Sequence, residues 1–199
     1  MFLRVHVFLV LAGLSLSASE DCEQLLTPLP LDDLSKLFGR WNFIEGFTDH
    51  KLFSDILSVV DSSWIDITPT PSNNFLVVYE FNKINGTCNI STSNMTLTGD
   101  KTTVTHAEGV SDVKILPSCS RCVTFSFVST VPNAAVPIHS LYVLGRSAVL
   151  EESELVDFRK QAECLHFSQP PNFHYDAKQD FCAKKTEELK EEEPAENVS

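Results

Sequence analysis

Two carboxylates stand in otherwise apolar runs, Glu45 within Trp41–Phe47 and Glu80 within Phe75–Phe81. Burying a carboxylate without a partner costs several kcal/mol, so each needs water, a hydrogen-bond donor or a cationic ligand. That is chemistry for recognising a molecule rather than for breaking a bond. The chain has no G-x-S-x-G elbow, P-loop, H-E-x-x-H pair or catalytic cysteine context, so no catalytic residue is assigned and neither an enzyme nor a cofactor is expected. His50, His106, His139, His166 and His174 lie in separate segments without ligand spacing, and no metal site is expected. His106 and His139 face a cavity only if their strands turn that way.

The cysteines are the other reactive set. Cys22, Cys88, Cys119, Cys122, Cys164 and Cys182 all lie beyond the first 17 residues, and an even number fits a framework of three bridges in an oxidising compartment. Six cysteines allow 15 connectivities, and spacing does not choose among them. Cys119-Ser-Arg-Cys122 has redox spacing, but it falls in a predicted hairpin turn and not at a helix N-terminus after a strand, which favours a structural staple.

The elements that must hold these residues are mostly short strands. An arm with Pro28 and Pro30 leads to a short helical turn over 32–38, and Gly39 allows a tight backbone turn ahead of the first strand. Alternation puts Trp41, Phe43, Glu45 and Phe47 on one face, and Ile65 and Ile67 on one face of Ser63–Thr68. Phe75–Phe81 is apolar on both faces except at Glu80, so periodicity does not orient it. Asn85-Gly86 marks a hairpin. Further strands follow over Cys88–Leu97, Lys101–His106, Asp112–Leu116, Cys122–Val128 and Ile138–Leu144, with Val123, Phe125 and Phe127 pointing inward. One helix is expected, Glu151–Leu165, with Leu155, Phe158, Ala162 and Leu165 on one stripe. Eight strands and one helix suggest an all-β fold, an eight-stranded up-and-down antiparallel barrel with the C-terminal helix packed outside. Trp41 would plug its closed end. Phe43, Phe53, Leu57, Val60, Ile65, Ile67, Val78, Phe125, Phe127, Tyr142 and Leu144 would line a mostly apolar cavity, with Glu45 and Glu80 as polar contacts.

The ends of the chain set its expected context. Arg4, the apolar stretch Val7–Leu16 and the small residues Ser15 and Ser17 read as a signal peptide over 1–17, leaving a barrel domain over 18–183 and an acidic tail over 184–199. No later run has the length of a membrane helix, so a secreted, extracellular chain without integral membrane association is expected. The formal charge is −12, which disfavours nucleic acid as a partner, and a monomer is expected. Asn85, Asn89, Asn94 and Asn197 head glycosylation triplets, three of them around one predicted hairpin.

Gly39-Arg-Trp-x-Phe-Ile44, Ile65-x-Ile-Thr-Pro69, Tyr79-Glu80 ahead of Cys88, and Cys164-Leu, Cys182 and the acidic tail together resemble the lipocalin family, over nearly the whole mature chain. Within it the chain resembles the alpha-1-acid glycoprotein (orosomucoid) group and the fish plasma lipocalins that bind saxitoxin, tetrodotoxin or organotins; Gly39–Ile44 and Cys119 carry a weaker likeness to apolipoprotein M. The family's Thr-Asp-Tyr signature is not recognisable near Leu141-Tyr-Val143, and Arg159 matches its later Arg loosely. The resemblance implies bridges Cys22–Cys164 and Cys88–Cys182, leaving Cys119 with Cys122, and it implies a glutamate at Glu80 facing the cavity. The implied function is a secreted plasma carrier that reversibly binds small lipophilic or cationic molecules, toxins or xenobiotics among them. The alternative is a lipoprotein-associated or immunomodulatory acute-phase glycoprotein acting through its surface.

Overall fold

The computed structural model describes residues 20–184 apart from 32, 73, 100, 108 and 133. The signal peptide expected over 1–17, the acidic tail beyond Lys184 and Asn197 lie outside the described residues.

A helical segment α1 (20–26) precedes the Pro-containing arm, and a 3-10 turn over Leu34–Leu37 delivers the chain to the first strand. The strands are β1 (Gly39–Thr48), β2 (Val60–Pro69), β3 (Phe75–Ile84), β4 (Thr87–Thr98), β5 (Lys101–His106), β6 (Gly109–Leu116), β7 (Cys122–Thr130) and β8 (Ile138–Gly145). Each pairs antiparallel with the next, β8 pairs with β1, and β1 also pairs with β2, so the sheet closes on itself. Closure is what eight short alternating strands joined by tight turns achieve, because it leaves no open edge. Gly39 has φ of +85°, the tight entry expected of it, and Asn85 and Gly86 turn the β3–β4 hairpin with φ of 48° and 77°.

One strand departs from simple alternation. β1 follows β8 with Phe43 opposite Leu144, then skips Ile44 and resumes with Glu45 opposite Val143. The extra residue swaps the two faces of the strand beyond it. Trp41 and Phe43 join the interior cluster, whereas Ile44 and Phe47 pack outside the wall with Leu155, Phe158 and Ala162. Glu45 turns outward with them. Gly46 takes the inward position, where a Cβ would stand 2.5 Å from the Phe43 ring, so only glycine lets that ring fold across the strand.

Two helical elements differ from the sequence expectation. α2 (Lys51–Leu57) lies in the β1–β2 connection; His50 caps it, its Nδ1 accepting from the Leu52 amide at 3.2 Å. The expected helix over 151–165 divides into a 3-10 turn at Glu152–Glu154 and α3 (Val156–Cys164). A reciprocal capping box between Glu151 and Glu154 sets the turn. The expected stripe does face the barrel, with Leu155, Phe158 and Ala162 buried, and Phe47 against Phe158 at 5.6 Å between centroids.

The C-terminal segment continues the wall. β9 (Phe173–His174) pairs with β1 at Glu45 and Gly46, where β1 has parted from β2. Opposite residues of an antiparallel pair share a face, so Phe173 points inward and stacks on Phe43 at 4.4 Å, and His174 points outward beside Glu45. Beyond it the chain runs over the outer face of β2 and β3. There Trp64 stacks on Phe81 at 3.8 Å, and its indole N–H donates to the Cys182 carbonyl at 2.8 Å. The Arg40 guanidinium lies 4.2 Å from the Trp64 ring and 5.1 Å from Phe181, and burial lowers its pKa.

Three disulfides brace this frame. Cys22–Cys164 ties α1 to the end of α3, Cys88–Cys182 ties the C-terminal segment to β4, and Cys119–Cys122 staples the β6–β7 turn. The C-x-x-C is thus oxidised within a strand-to-strand turn. No helix among the described residues is long and apolar enough to cross a membrane.

Candidate functional site: the cavity inside the barrel

The inward faces of the strands enclose a cavity of about 410 Å³, with α2 at its mouth contributing Phe53, Ile56 and Leu57. This is within the range that holds one small organic molecule. Phe43, Val60, Ile65, Val78, Phe125, Phe127, Tyr142 and Leu144 line the wall as their alternation requires. Phe43, Tyr142, Phe127 and Phe125 form a run of tilted rings with centroids 5.0, 5.3 and 5.9 Å apart, an aromatic side to the chamber.

Three residues expected at the site do not line the cavity. Trp41 and Ile67 are buried in the core on the inward face nearer the closed end. The Trp41 indole N–H donates to the Leu37 carbonyl at 2.7 Å, and the Arg146 guanidinium covers its ring at 3.5 Å. Trp41 is thus a packed core residue covered by Arg146, whereas Arg159 lies on α3 beside Glu45. Glu45 is the larger correction. The bulge at Ile44 carries it through the wall, where it is 2% exposed and meets Arg159 of α3, so its compensating charge is internal. His139 also stays outside, its Nδ1 2.7 Å from Asp49 Oδ2.

Glu80 is the carboxylate that reaches the cavity. The β2–β3–β4 register sets it between Ile65 and Ser91. The Ser93 hydroxyl donates to its Oε1 at 2.7 Å and that of Ser91 to its Oε2 at 3.4 Å. Among the described residues no Lys, Arg or His forms a salt bridge with it. Two hydroxyls satisfy part of a carboxylate's capacity and leave its charge unpaired.

Several lining residues were not singled out from the sequence. Ser63, Asn82, Ser91, Thr92, Ser93, Ser111, Ser129 and Ser140 add polar groups, and Ile56, Ile84, Met95, Val104, Ala107 and Val131 extend the apolar surface. The Ser63 hydroxyl donates to Asn82 Oδ1 at 2.7 Å. His106 Nε2 lies 3.3 Å from Ser111 Oγ, which lies 2.8 Å from Ser129 Oγ. Period-two counting from Glu80's partners would have found Ser91, Ser93 and Met95. Burial pushes the Tyr142 hydroxyl's pKa up, with the Glu80 charge acting in the same direction. Among the described residues no cluster of His, Cys, Asp and Glu has the arrangement of a metal site.

An eight-stranded antiparallel barrel with a helix packed outside is a fold shared with a group of solved structures. A siderocalin with a dual ligand binding mode superposes with a TM-score of 0.63 at 13% identity, over 79% of this chain and 99% of its own. Lipocalin 12 from rat epididymis gives 0.60 at 11% identity, over 71% and 84%. A bovine lipocalin allergen gives 0.55 at 15%, over 69% and 90%. The chain has the lipocalin fold. No family model matches it. In sequence it is similar to saxitoxin and tetrodotoxin-binding proteins 2 and 1 of Takifugu pardalis, 25% and 26% identical over 187 residues, covering 84% of this chain and 46% of each relative. The chain thus spans about half the length of the curated relatives it matches.

Proposed function

We propose that this lipocalin-fold chain is a secreted carrier that reversibly binds small lipophilic molecules with a cationic end, toxins or xenobiotics among them, and that it does so without chemistry. The observation that carries the reading is Glu80, a carboxylate without a salt-bridge partner among the described residues, set in a chamber whose remaining wall is largely aromatic and aliphatic. An apolar body is taken out of water against Phe43, Phe125, Phe127 and Tyr142, and a cation completes the charge pairing that Ser91 and Ser93 leave open. The ligand set proposed is Phe43, Phe53, Leu57, Val60, Ile65, Val78, Glu80, Phe125, Phe127, Tyr142 and Leu144. The two fish relatives, saxitoxin and tetrodotoxin-binding proteins by name, support a small-molecule carrier. The resemblance to orosomucoid read from the sequence belongs to the same proposal.

The reading is tested by titrating the protein with a fluorescent probe bearing a guanidinium end and with its neutral urea counterpart. Preference for the guanidinium probe supports it. Equal affinity leaves a hydrophobic container without charge selection, and binding of neither probe removes the carrier reading for this ligand class.

A further inference from the structure

His106 is the second ionisable group of the same chamber, and nothing in a permanent anionic site requires it. It stands at the end of β5, half-buried and lining the cavity, with Ser111 and Ser129 hydrogen-bonded behind it. The β4–β5 ladder runs to Asn94 opposite Thr105, so the next residues outward along it are Ser93 and His106. Ser93 is the residue that donates to Glu80. Glu80 itself stands opposite Ser91, so the imidazole and the carboxylate lie two strand spacings across and two residues along β4 from each other, roughly 10 to 12 Å apart.

The other elements bring little charge to this space. Among the described residues that line the cavity, the ionisable ones are Glu80 from β3, His106 from β5 and Tyr142 from β8; β2, β4, β6, β7 and α2 add none. Asp112 and Lys114 of β6 and Lys101 of β5 are exposed on the outer surface, with Lys101 paired to Asp112 at 3.0 Å. Lys51 and Asp55 of α2 pair with each other at 2.6 Å in solvent. Tyr142, its pKa raised by burial, keeps its proton at neutral and acid pH. Among the described residues the charge of the chamber is then set by Glu80 and His106.

We infer that His106 makes the hold on cationic ligands depend on pH: with its ring neutral the cavity carries the single negative charge of Glu80, and a proton taken from solvent onto the ring cancels that charge and releases the cation. This inference rests on Glu80 being the cation's partner. Histidine is the side chain that ordinarily changes charge between pH 5 and 8, the interval in which an acidified compartment differs from extracellular fluid. Neutral lipophilic ligands, held by the aromatic wall, are not released. Acidification thus lowers the cavity's selectivity for cations.

The experiment uses a dansyl probe ending in a propylguanidinium group, whose charge does not titrate, and its urea isostere, each titrated into the wild-type protein and into His106→Gln at pH 7.5 and pH 5.5. Glutamine keeps a hydrogen-bonding group beside Ser111 and takes no proton. The wild type is expected to lose about three- to tenfold in affinity for the guanidinium probe on acidification, the size of one added charge roughly 10 to 12 Å away after solvent screening. Its affinity for the urea probe should hold, and His106→Gln should bind the guanidinium probe equally at both pH values. A flat wild-type response, the same loss in His106→Gln, or a parallel loss of the urea probe overturns the inference. If the wild type does not prefer guanidinium at pH 7.5, the Glu80 reading has failed and this one with it. A preference undiminished at pH 5.5 removes the role of His106 and leaves Glu80 in place.

Discussion

Arg159 of α3 grips Glu45 of β1 through two contacts, Nε to Oε2 at 3.3 Å and Nη2 to Oε1 at 3.4 Å. The same guanidinium donates from Nη1 to Glu152 at 2.5 Å, the foremost reason its pKa is raised, and His174 of β9 approaches Glu45 at 3.5 Å. One buried carboxylate thus joins the barrel, the outer helix and the C-terminal strand. Arg159→Met leaves it without its principal partner and should lower stability by about 3 kcal/mol, the lower end of the range for breaking a buried pair because the arginine side chain is 36% exposed. Adding Glu45→Leu should recover most of that loss. Urea unfolding of the two variants checks this, and a single mutant as stable as the wild type would dissolve the link.

Glu80→Gln is expected to weaken a cationic ligand by roughly 1.5 to 3 kcal/mol, about ten- to over a hundredfold, and a matched neutral ligand much less. Glutamine retains an acceptor for the Ser93 hydroxyl, so the barrel should keep its shape. Paired fluorescence titrations read the difference. Equal losses for both ligands would point to general damage, and no loss for either would remove Glu80 from recognition.

The three bridges should differ in weight. Their sequence separations are 142, 94 and 3, and the chain-entropy treatment gives about 5 kcal/mol for either long loop against about 2 kcal/mol for the short one. Replacing Cys88 and Cys182 by serine should also free the segment that covers Trp64 and Phe81, whereas replacing Cys119 and Cys122 should be tolerated. Thermal unfolding of the two double variants, with non-reducing peptide mapping of the parent, tests the ordering.

Acid should loosen the contact between the β6–β7 turn and the segment before α3. Arg121 donates to both carboxylate oxygens of Glu154 at 2.7 and 2.6 Å, and this hydrogen bonding holds the Glu154 pKa down to about 2. A carboxyl group with a depressed folded pKa contributes stability that is complete above its unfolded value near 4.5 and is lost as pH falls toward 2. Glu154→Gln should therefore flatten the decline in stability between pH 4.5 and 2. Urea midpoints at pH 7, 4.5 and 2.5 provide the comparison, and an unchanged pH profile would place the acid sensitivity elsewhere.

Asn85, Asn89 and Asn94 are all exposed on the β3–β4 hairpin, open to glycan attachment without disturbing the wall. Protein from a secreting eukaryotic host should fall in apparent mass by several glycans on enzymatic deglycosylation. An unchanged mass would speak against passage through the secretory pathway with these sites occupied.

Strand positions were legible to within a few residues because alternation and turn residues are local signals. Val123, Phe125 and Phe127 alternate with polar neighbours, Asn85-Gly86 can be little other than a hairpin turn, and the stripe of α3 announces its buried face. α2 escaped because seven residues make too short a helix for periodicity to declare. It is held instead by the His50 cap and by Asn172, which accepts from the Thr48 amide and donates to Ser54.

The chain by itself determined that strands would close into a barrel with aromatic inward faces, since each residue's face follows from its immediate neighbours along the strand. Which glutamate entered the cavity was decided only in three dimensions. Glu45 and Glu80 sit in equally apolar runs, and the difference is the unpaired Ile44, a consequence of how β1 must register with β8 on one side while meeting β2 and β9 on the other. A bulge belongs to a pair of strands more than ninety residues apart, and one skipped residue reverses every side chain beyond it.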